Sequence, residues 1–250
     1  MNSLQANIKN ETEKIILHRR TKVFLIVSAL IPIGAATTFS LLQNSLGIFG
    51  LTTASFSVML LGLFTSILLP LFIFAVAADV FAGEVGDKTL KLTLTRPISR
   101  WHVFLSKNIA IAVYIGINLG VVLLVSVLAG LFLQGSGDFS KGLLQTFISY
   151  LAAMVPMLSI GIAAVFIAQF FKNASSALFT GVFIYLVGKA LAFLYPATAR
   201  LILFSYTNWH LLWLGSTVGA GRLINGLVVM IAYGILLLSI GFYLFDKTEV

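Results

Sequence analysis

The sequence predicts an all-α polytopic membrane protein: six transmembrane helices, an N-terminal interfacial helix, and a re-entrant or interfacial helical element before the last span. Composition is the first reason. Of 250 residues, 59% are hydrophobic and 10% are charged, whereas a soluble domain carries about 25% charged residues. A chain this apolar must turn hydrophobic residues to lipid as well as to its own core. The second reason is the length of the charge-free runs. The third is the lopsided placement of Lys and Arg between them.

Residues 1–22 are polar and carry Lys9, Glu11, Glu13, Lys14, Arg19, Arg20 and Lys22. No short apolar core with a small-residue cleavage site follows, so the first span is expected to act as its own uncleaved insertion signal. Leu4, Ile8 and Ile15 fall roughly on one helical face, interrupted by Glu11. Such a helix suits the inner membrane surface; a disordered basic tail is the alternative.

From Val23 to Ala78 there is no charged residue. A span needs roughly 20 residues at about 1.5 Å each. The run therefore divides into a first span near 23–43 and a second near 57–82, joined through Asn44, Ser45, Gly47, Gly50, Thr52 and Thr53. The third span covers about 103–133, and Gln134 to Asp138 then make a turn. The fourth is expected over 143–171, until Lys172 and Asn173 break it. The fifth covers about 174–198 and closes at Pro196, and the sixth about 223–245, followed by a polar tail.

Leu201 to Gly221 is apolar but contains Ser205, Thr207, Asn208 and His210, while Tyr206, Trp209 and Trp213 suit a membrane interface. A full span here would put the C-terminus outside. The segment is expected instead as a re-entrant or interfacial pair, protected by protein at membrane depth. The chain is then one domain over residues 1–250. It has an inner interfacial helix at 1–22, a polar loop at 79–102 and an outer element at 199–222.

Charge placement orients it. With both termini in the cytoplasm, the inner side receives twelve Lys and Arg residues and the outer side three, Lys141, Arg200 and Arg222. That is a positive-inside pattern, and the expected location is a bacterial inner or plasma membrane. The net charge of +8 is accounted for by topology, so no nucleic-acid partner is expected. There is no cysteine, which excludes disulfides and thiolate chemistry. His18, His102 and His210 make no metal-ligand spacing. No phosphate-cradling G-x-x-x-x-G-K-[ST] loop occurs, nor H-E-x-x-H nor G-x-S-x-G. Any ATP-driven work must therefore draw on a separate chain, and no enzyme activity is expected in this one.

Asp79 to Lys107 is a charged island between two long apolar runs, with eight Asp, Glu, Lys and Arg residues. Topology asks only for Lys and Arg, so Asp79, Glu84 and Asp87 suggest more than a topological loop. Leu90, Leu92 and Leu94 alternate with polar residues, which suits a protein contact with apolar anchors and a charged rim. Pro97 ends any helix before it. Ser99 is placed to cap the next helix, and Trp101 and Lys107 suit the inner interface.

Gly83-Glu84, Asp87-Lys88-Thr89-Leu90 and Thr95-Arg96-Pro97-Ile98-Ser99-Arg100, followed by Lys107, resemble the pattern of ABC-2 type permeases. In that family a Glu, a Gly-Thr-like pair and a leucine stretch precede a Pro-(hydrophobic)-Ser/Thr-Arg element. Here Gly86 and Thr89 are separated where many members have Gly-Thr adjacent. The resemblance implies the transmembrane subunit of an ABC exporter. Its partners would be an ABC ATP-binding subunit, a second permease subunit, identical or paralogous, and the lipid bilayer. ATP and magnesium would be bound by the ATP-binding partner, with no cofactor in this chain. The loop between the second and third spans would be the coupling contact, through Glu84, Asp87, Lys88, Leu90, Leu92, Arg96, Pro97 and Arg100, with Lys172 in the neighbouring inner turn. On that basis charge reversal at Glu84 or Arg96 is expected to uncouple ATP hydrolysis from transport and spare insertion.

Two polar residues inside spans stand apart. Asn118 suits an interhelical hydrogen bond. Lys189 is a charge well inside a predicted span, with snorkelling or helix pairing favoured over a pathway role. An ion-coupled secondary transporter is a rival reading, but it would need ion-binding groups near the midplane, and the spans hold no Asp or Glu away from their ends. A non-transporting scaffold or immunity-type membrane protein is the other rival.

Overall fold

The computed structural model describes residues 3–46, 52–89, 99–133, 139–214 and 220–247. Among them all regular structure is helical. Six helices are long and apolar enough to cross a membrane, as the charge-free runs predict. The chain is a multi-pass membrane protein.

Helix α1 (Ser3–Leu17) is followed after His18 by α2 (Arg19–Leu46). The second span, α3, is one continuous helix over Thr53–Gly86, 34 residues long. Helix α4 covers Arg100–Gly130, α5 Phe139–Ala168, α6 Ala174–Leu194 and α7 Ala220–Lys247. The spans alternate in direction, so α1 and the C-terminal end of α7 gather at one end of the bundle, here the near end. The far end carries a pair of short 3₁₀ helices within Leu203–Trp213, broken at Asn208, whose φ −98° and ψ 19° are not helical. The pair is too short to span. It returns the chain so that α7 starts at the far end.

Helices α2, α3 and α7 extend beyond the predicted limits at both ends because a helix need not stop where lipid does, while α4 and α5 both start and end earlier than predicted. Helix α3 begins at Thr53 rather than 57 and continues past 82, since Thr52 caps its start: Ser55 N–H donates to Thr52 Oγ1 at 3.2 Å. At about 1.5 Å per residue, 34 residues are about 50 Å long, well beyond a hydrocarbon core of about 30 Å. Two π-helical turns interrupt it, Phe64–Leu68 and Asp79–Gly83. Ser99 caps α4 as expected, accepting from His102 N–H. Asn173 caps α6, accepting from Ser175 N–H at 2.9 Å. Helix α6 stops at Leu194, two residues before Pro196, earlier than predicted, because proline disfavours α geometry in its predecessor.

Helices α3 and α5 are the most enclosed spans, and α2, α6 and α7 lie at the periphery. Helix α3 is buried without a break from Phe72 to Ala78. Near the bundle's near end, Phe81, Trp101, Phe104, Phe242 and Phe245 form an aromatic cluster, with Trp101 and Phe242 edge-to-face at 4.7 Å. It ties α3, α4 and α7 together beside the charges described next.

Candidate functional site at the near end

Helix α1 lies along α4, and its buried stripe is Asn7, Glu11 and Ile15. The stripe predicted from hydrophobicity was Leu4, Ile8 and Ile15. The difference has a physical cause: the surface α1 packs on is polar. Asn7 Nδ2 donates to Ser106 Oγ at 2.7 Å. Next to Ser106, the Lys107 ammonium is fully buried, at 0% exposure. It donates to Glu84 Oε2 at 2.7 Å, to Glu11 Oε2 at 3.0 Å and to the Val80 carbonyl at 3.4 Å. Glu11 is 2% exposed and Glu84 5%. Lys14, half-exposed on α1, caps the cluster by donating to Glu84 Oε1.

An ammonium has three donors and no acceptor, and three acceptors meet Lys107. Burying a charge is expensive unless it is paired and hydrogen-bonded. Here two carboxylates and two ammonium groups neutralise one another. The cluster therefore holds α1, α3 and α4 in one relative placement. A second ion pair reinforces it: Arg20 donates to Asp79 Oδ1 at 2.8 Å, with His18 Nδ1 3.9 Å from the other carboxylate oxygen. That pair joins the start of α2 to α3. The π turn Asp79–Gly83 lies between the two carboxylates, so they leave α3 toward different neighbours.

Lys107 is thus not an interfacial lysine, and Glu84 faces inward rather than outward. Of the remaining expected contact residues, Asp87, Lys88, Arg100 and Lys172 are described. Asp87 and Lys88 are exposed in the turn that ends α3, with Lys88 in the left-handed region at φ 56°. Asp87 N–H donates to Gly83 O at 2.9 Å and Lys88 N–H to Val85 O at 3.2 Å, closing the helix. Leu90, Leu92, Arg96 and Pro97 lie outside the described residues. Arg100, at the start of α4, donates to the Asp246 carbonyl at the end of α7.

Lys172 is exposed in the turn between α5 and α6. Its carbonyl oxygen would lie 2.6 Å from a Cβ placed on Gly86, so the turn and the end of α3 touch through backbone, a contact that a larger residue would obstruct. The structure therefore brings Glu84, Asp87, Lys88, Arg100 and Lys172 to one end of the bundle.

Asn118 and Lys189 are elsewhere. Asn118 is buried on α4; its Oδ1 accepts from Ser28 of α2 at 3.1 Å. Lys189 donates to Thr207 Oγ1 at 2.6 Å and sits 6.0 Å from the Tyr185 ring centre. Both pair elements of the bundle. Sequence reasoning missed Lys14 and Lys107 as partners of Glu84, and Glu11 as the second carboxylate on Lys107. The available signal was the placement of Glu11 midway between Asn7 and Ile15 at four-residue spacing.

Nothing in this constellation is arranged for covalent chemistry, and among the described residues no group of three His, Asp or Glu side chains could hold a metal. Its chemistry is mechanical: a buried ion cluster joins α1 to the near ends of α3 and α4, and an exposed pair joins α2 to α3. Six apolar helices tied together in this way make a multi-pass membrane protein. The chain belongs to the ABC-2 family of transporter proteins, whose family model matches residues 7–189. The match runs from within α1 to within α6. The chain is also similar to the uncharacterized protein YhcI of Bacillus subtilis (strain 168), 28% identical over 207 residues. That similarity covers 74% of this chain and 66% of the relative, so the chain spans just under two thirds of that protein's length.

Proposed function

We propose that this ABC-2 permease is the transmembrane subunit of an ATP-driven exporter. It forms the translocation pathway with a second permease subunit and is driven by a separate ATP-binding subunit. ATP and magnesium are bound and hydrolysed by that partner. The near end faces the cytoplasm, so both termini are cytoplasmic. The partner docks on the turn that ends α3 and on the segment that follows it, meeting Asp87, Lys88, Leu90, Leu92, Arg96 and Pro97, with Arg100 and Lys172 beside them.

The observation that carries this reading is the buried Lys107 ammonium held between Glu11 and Glu84. A force applied at the docking turn meets α1, α3 and α4 as one body rather than as separate helices. Glu84 in this account transmits motion instead of touching the partner. The Gly86–Lys172 backbone contact extends the same body to the α5–α6 turn.

The test is reconstitution of the chain with the ATP-binding subunit encoded in neighbouring reading frames. ATP hydrolysis should rise when both are present in proteoliposomes. Charge reversal at Lys88 or Asp87 should reduce the rise without changing the yield of folded protein. A chain that purifies alone and leaves the ATPase unaffected would support a scaffold instead. ATP-independent transport driven by an ion gradient would support a secondary transporter.

A further inference from the structure

Beside the buried cluster, a cavity of about 240 Å³ opens between the C-terminal part of α1, the start of α2 and the near end of α3. It is smaller than the site of a drug-sized ligand, roughly 300–1,000 Å³. Ile15, Val76 and Val80 form its apolar wall. Its polar wall includes Lys14, His18, Thr21, Asp79, Glu84 and Asp87.

Thr21 is the informative member. It is 2% exposed and lines the cavity, and its hydroxyl has no hydrogen-bond partner among the described residues. A buried hydroxyl left unpaired is costly, so the occupant of the cavity is expected to complete it. The charges around it call for a cation. Glu11, Asp79, Glu84 and Asp87 bring four carboxylates to this corner, and Lys14, Arg20 and Lys107 bring three cations. Asp79 and Glu84 are paired, while Asp87 has no ion-pair partner among the described residues. One negative charge is left over. Helix α3 also ends here, and the C-terminus of a helix carries about half a negative charge.

Depth in the bilayer narrows the ligand further. The 34 residues of α3 make about 50 Å of helix against a hydrocarbon core of about 30 Å. About 10 Å, or roughly seven residues, therefore projects at each end. That sets the near boundary close to Asp79, and the charge-free run ends independently at Ala78. The cavity, lined from Val76 to Asp87 and Thr89, lies at the level of the lipid headgroups.

We infer that this cavity binds the primary ammonium of a phosphatidylethanolamine headgroup. The ammonium donates its N–H groups to the Thr21 hydroxyl and to the Asp79 and Asp87 carboxylates, which have lone pairs to spare. The phosphate stays at the mouth, toward the half-exposed Lys14 and His18. Choline has no N–H to donate, and the neutral glycerol of phosphatidylglycerol leaves the surplus negative charge unmatched. A lipid held here joins α1, α2 and α3 beside the docking turn. The inference rests on the proposed function only in placing this end in the inner leaflet; the binding itself needs neither ATP nor the ATP-binding subunit.

In the test, the purified, delipidated chain is incubated with equimolar phosphatidylethanolamine, phosphatidylcholine and phosphatidylglycerol carrying the same acyl chains. Retained lipid is counted by native mass spectrometry. Phosphatidylethanolamine should be retained about tenfold over either of the others. Thr21→Val should bring that preference close to parity, and Thr21→Ser, which keeps the hydroxyl, should preserve it. Asp87 is exposed, so Asp87→Asn removes the charge without disturbing the packing and should also abolish the preference. A preference for phosphatidylglycerol would overturn the inference, since a basic surface alone would then account for it. So would equal retention of phosphatidylcholine, or an ethanolamine preference that survives both Thr21→Val and Asp87→Asn. Displacement of the lipid by an equal concentration of soluble ethanolamine would also overturn it, because the ligand would then be a free amine. Because the assay omits ATP and partner, a failed exporter reading and a failed lipid site give different results.

Discussion

At Lys107 the cost of removing a charge from water is met by two carboxylates and a carbonyl, and the balance holds only while all the partners are present. Removing one partner of a buried pair costs about 3–5 kcal/mol, whereas replacing the whole set with apolar groups is often neutral. Lys107→Met should therefore lower thermal stability by about that amount, because Glu11 and Glu84 stay buried without their cation. Combining it with Glu11→Gln and Glu84→Gln should restore much of the loss in the same thermal unfolding assay. If the triple variant is less stable than Lys107→Met, the cluster is not held by charge. Charge reversal at Glu84 is thus expected to impair folding, and no longer to uncouple an intact protein. Lys88 differs. Its left-handed φ of 56° costs a non-glycine residue roughly 1–2 kcal/mol. Lys88→Gly should stabilise the turn by up to about 1 kcal/mol, seen as a higher melting temperature, while weakening the response to the ATP-binding subunit.

Among the elements, α3 does most to position the site, and its form explains what could and could not be foreseen. Its existence was legible because Val23 to Ala78 carries no charge. Its length was not, because hydrophobicity marks where lipid ends and not where a helix ends. The π turns at Phe64–Leu68 and Asp79–Gly83 left no trace in a period-based reading, since each is one wide turn within a continuous helix. Asp79, Glu84 and Asp87 stood out as acids in a loop whose topology asks for bases. Their roles were not legible, because Glu84 turns inward only through the register of α1 on α4, which is a tertiary fact. Gly86 shows the same limit: in the sequence it loosens a helix end, and in the fold it admits the Lys172 carbonyl. Gly86→Ala should force that backbone contact apart at a cost of about 1–3 kcal/mol. Its melting temperature should fall while Gly120→Ala, at a glycine with nothing within 4 Å of an added Cβ, leaves stability nearly unchanged. Equal effects at the two positions would remove the special role of the Gly86 contact.

The whole molecule is asymmetric along the membrane normal. The near end is rich in ion pairs and aromatic contacts that bind helices to one another. The far end is lightly charged and holds an open cavity beneath a broken 3₁₀ pair. Between them α3 is buried without a break from Phe72 to Ala78. In an exporter, motion of the near end would alter how the spans pack around that buried stretch. The central claim is that the near end is where an ATP-binding subunit engages this permease. The most direct measurement uses the natural absence of cysteine: one cysteine replaces Asp87 and another replaces Gly62, in separate variants. Each is treated in native membranes with a short thiol-to-amine cross-linker. The account predicts that the Asp87 variant is joined to the ATP-binding subunit and the Gly62 variant is not. Cross-linking at neither position, or at Gly62 in place of Asp87, would contradict it.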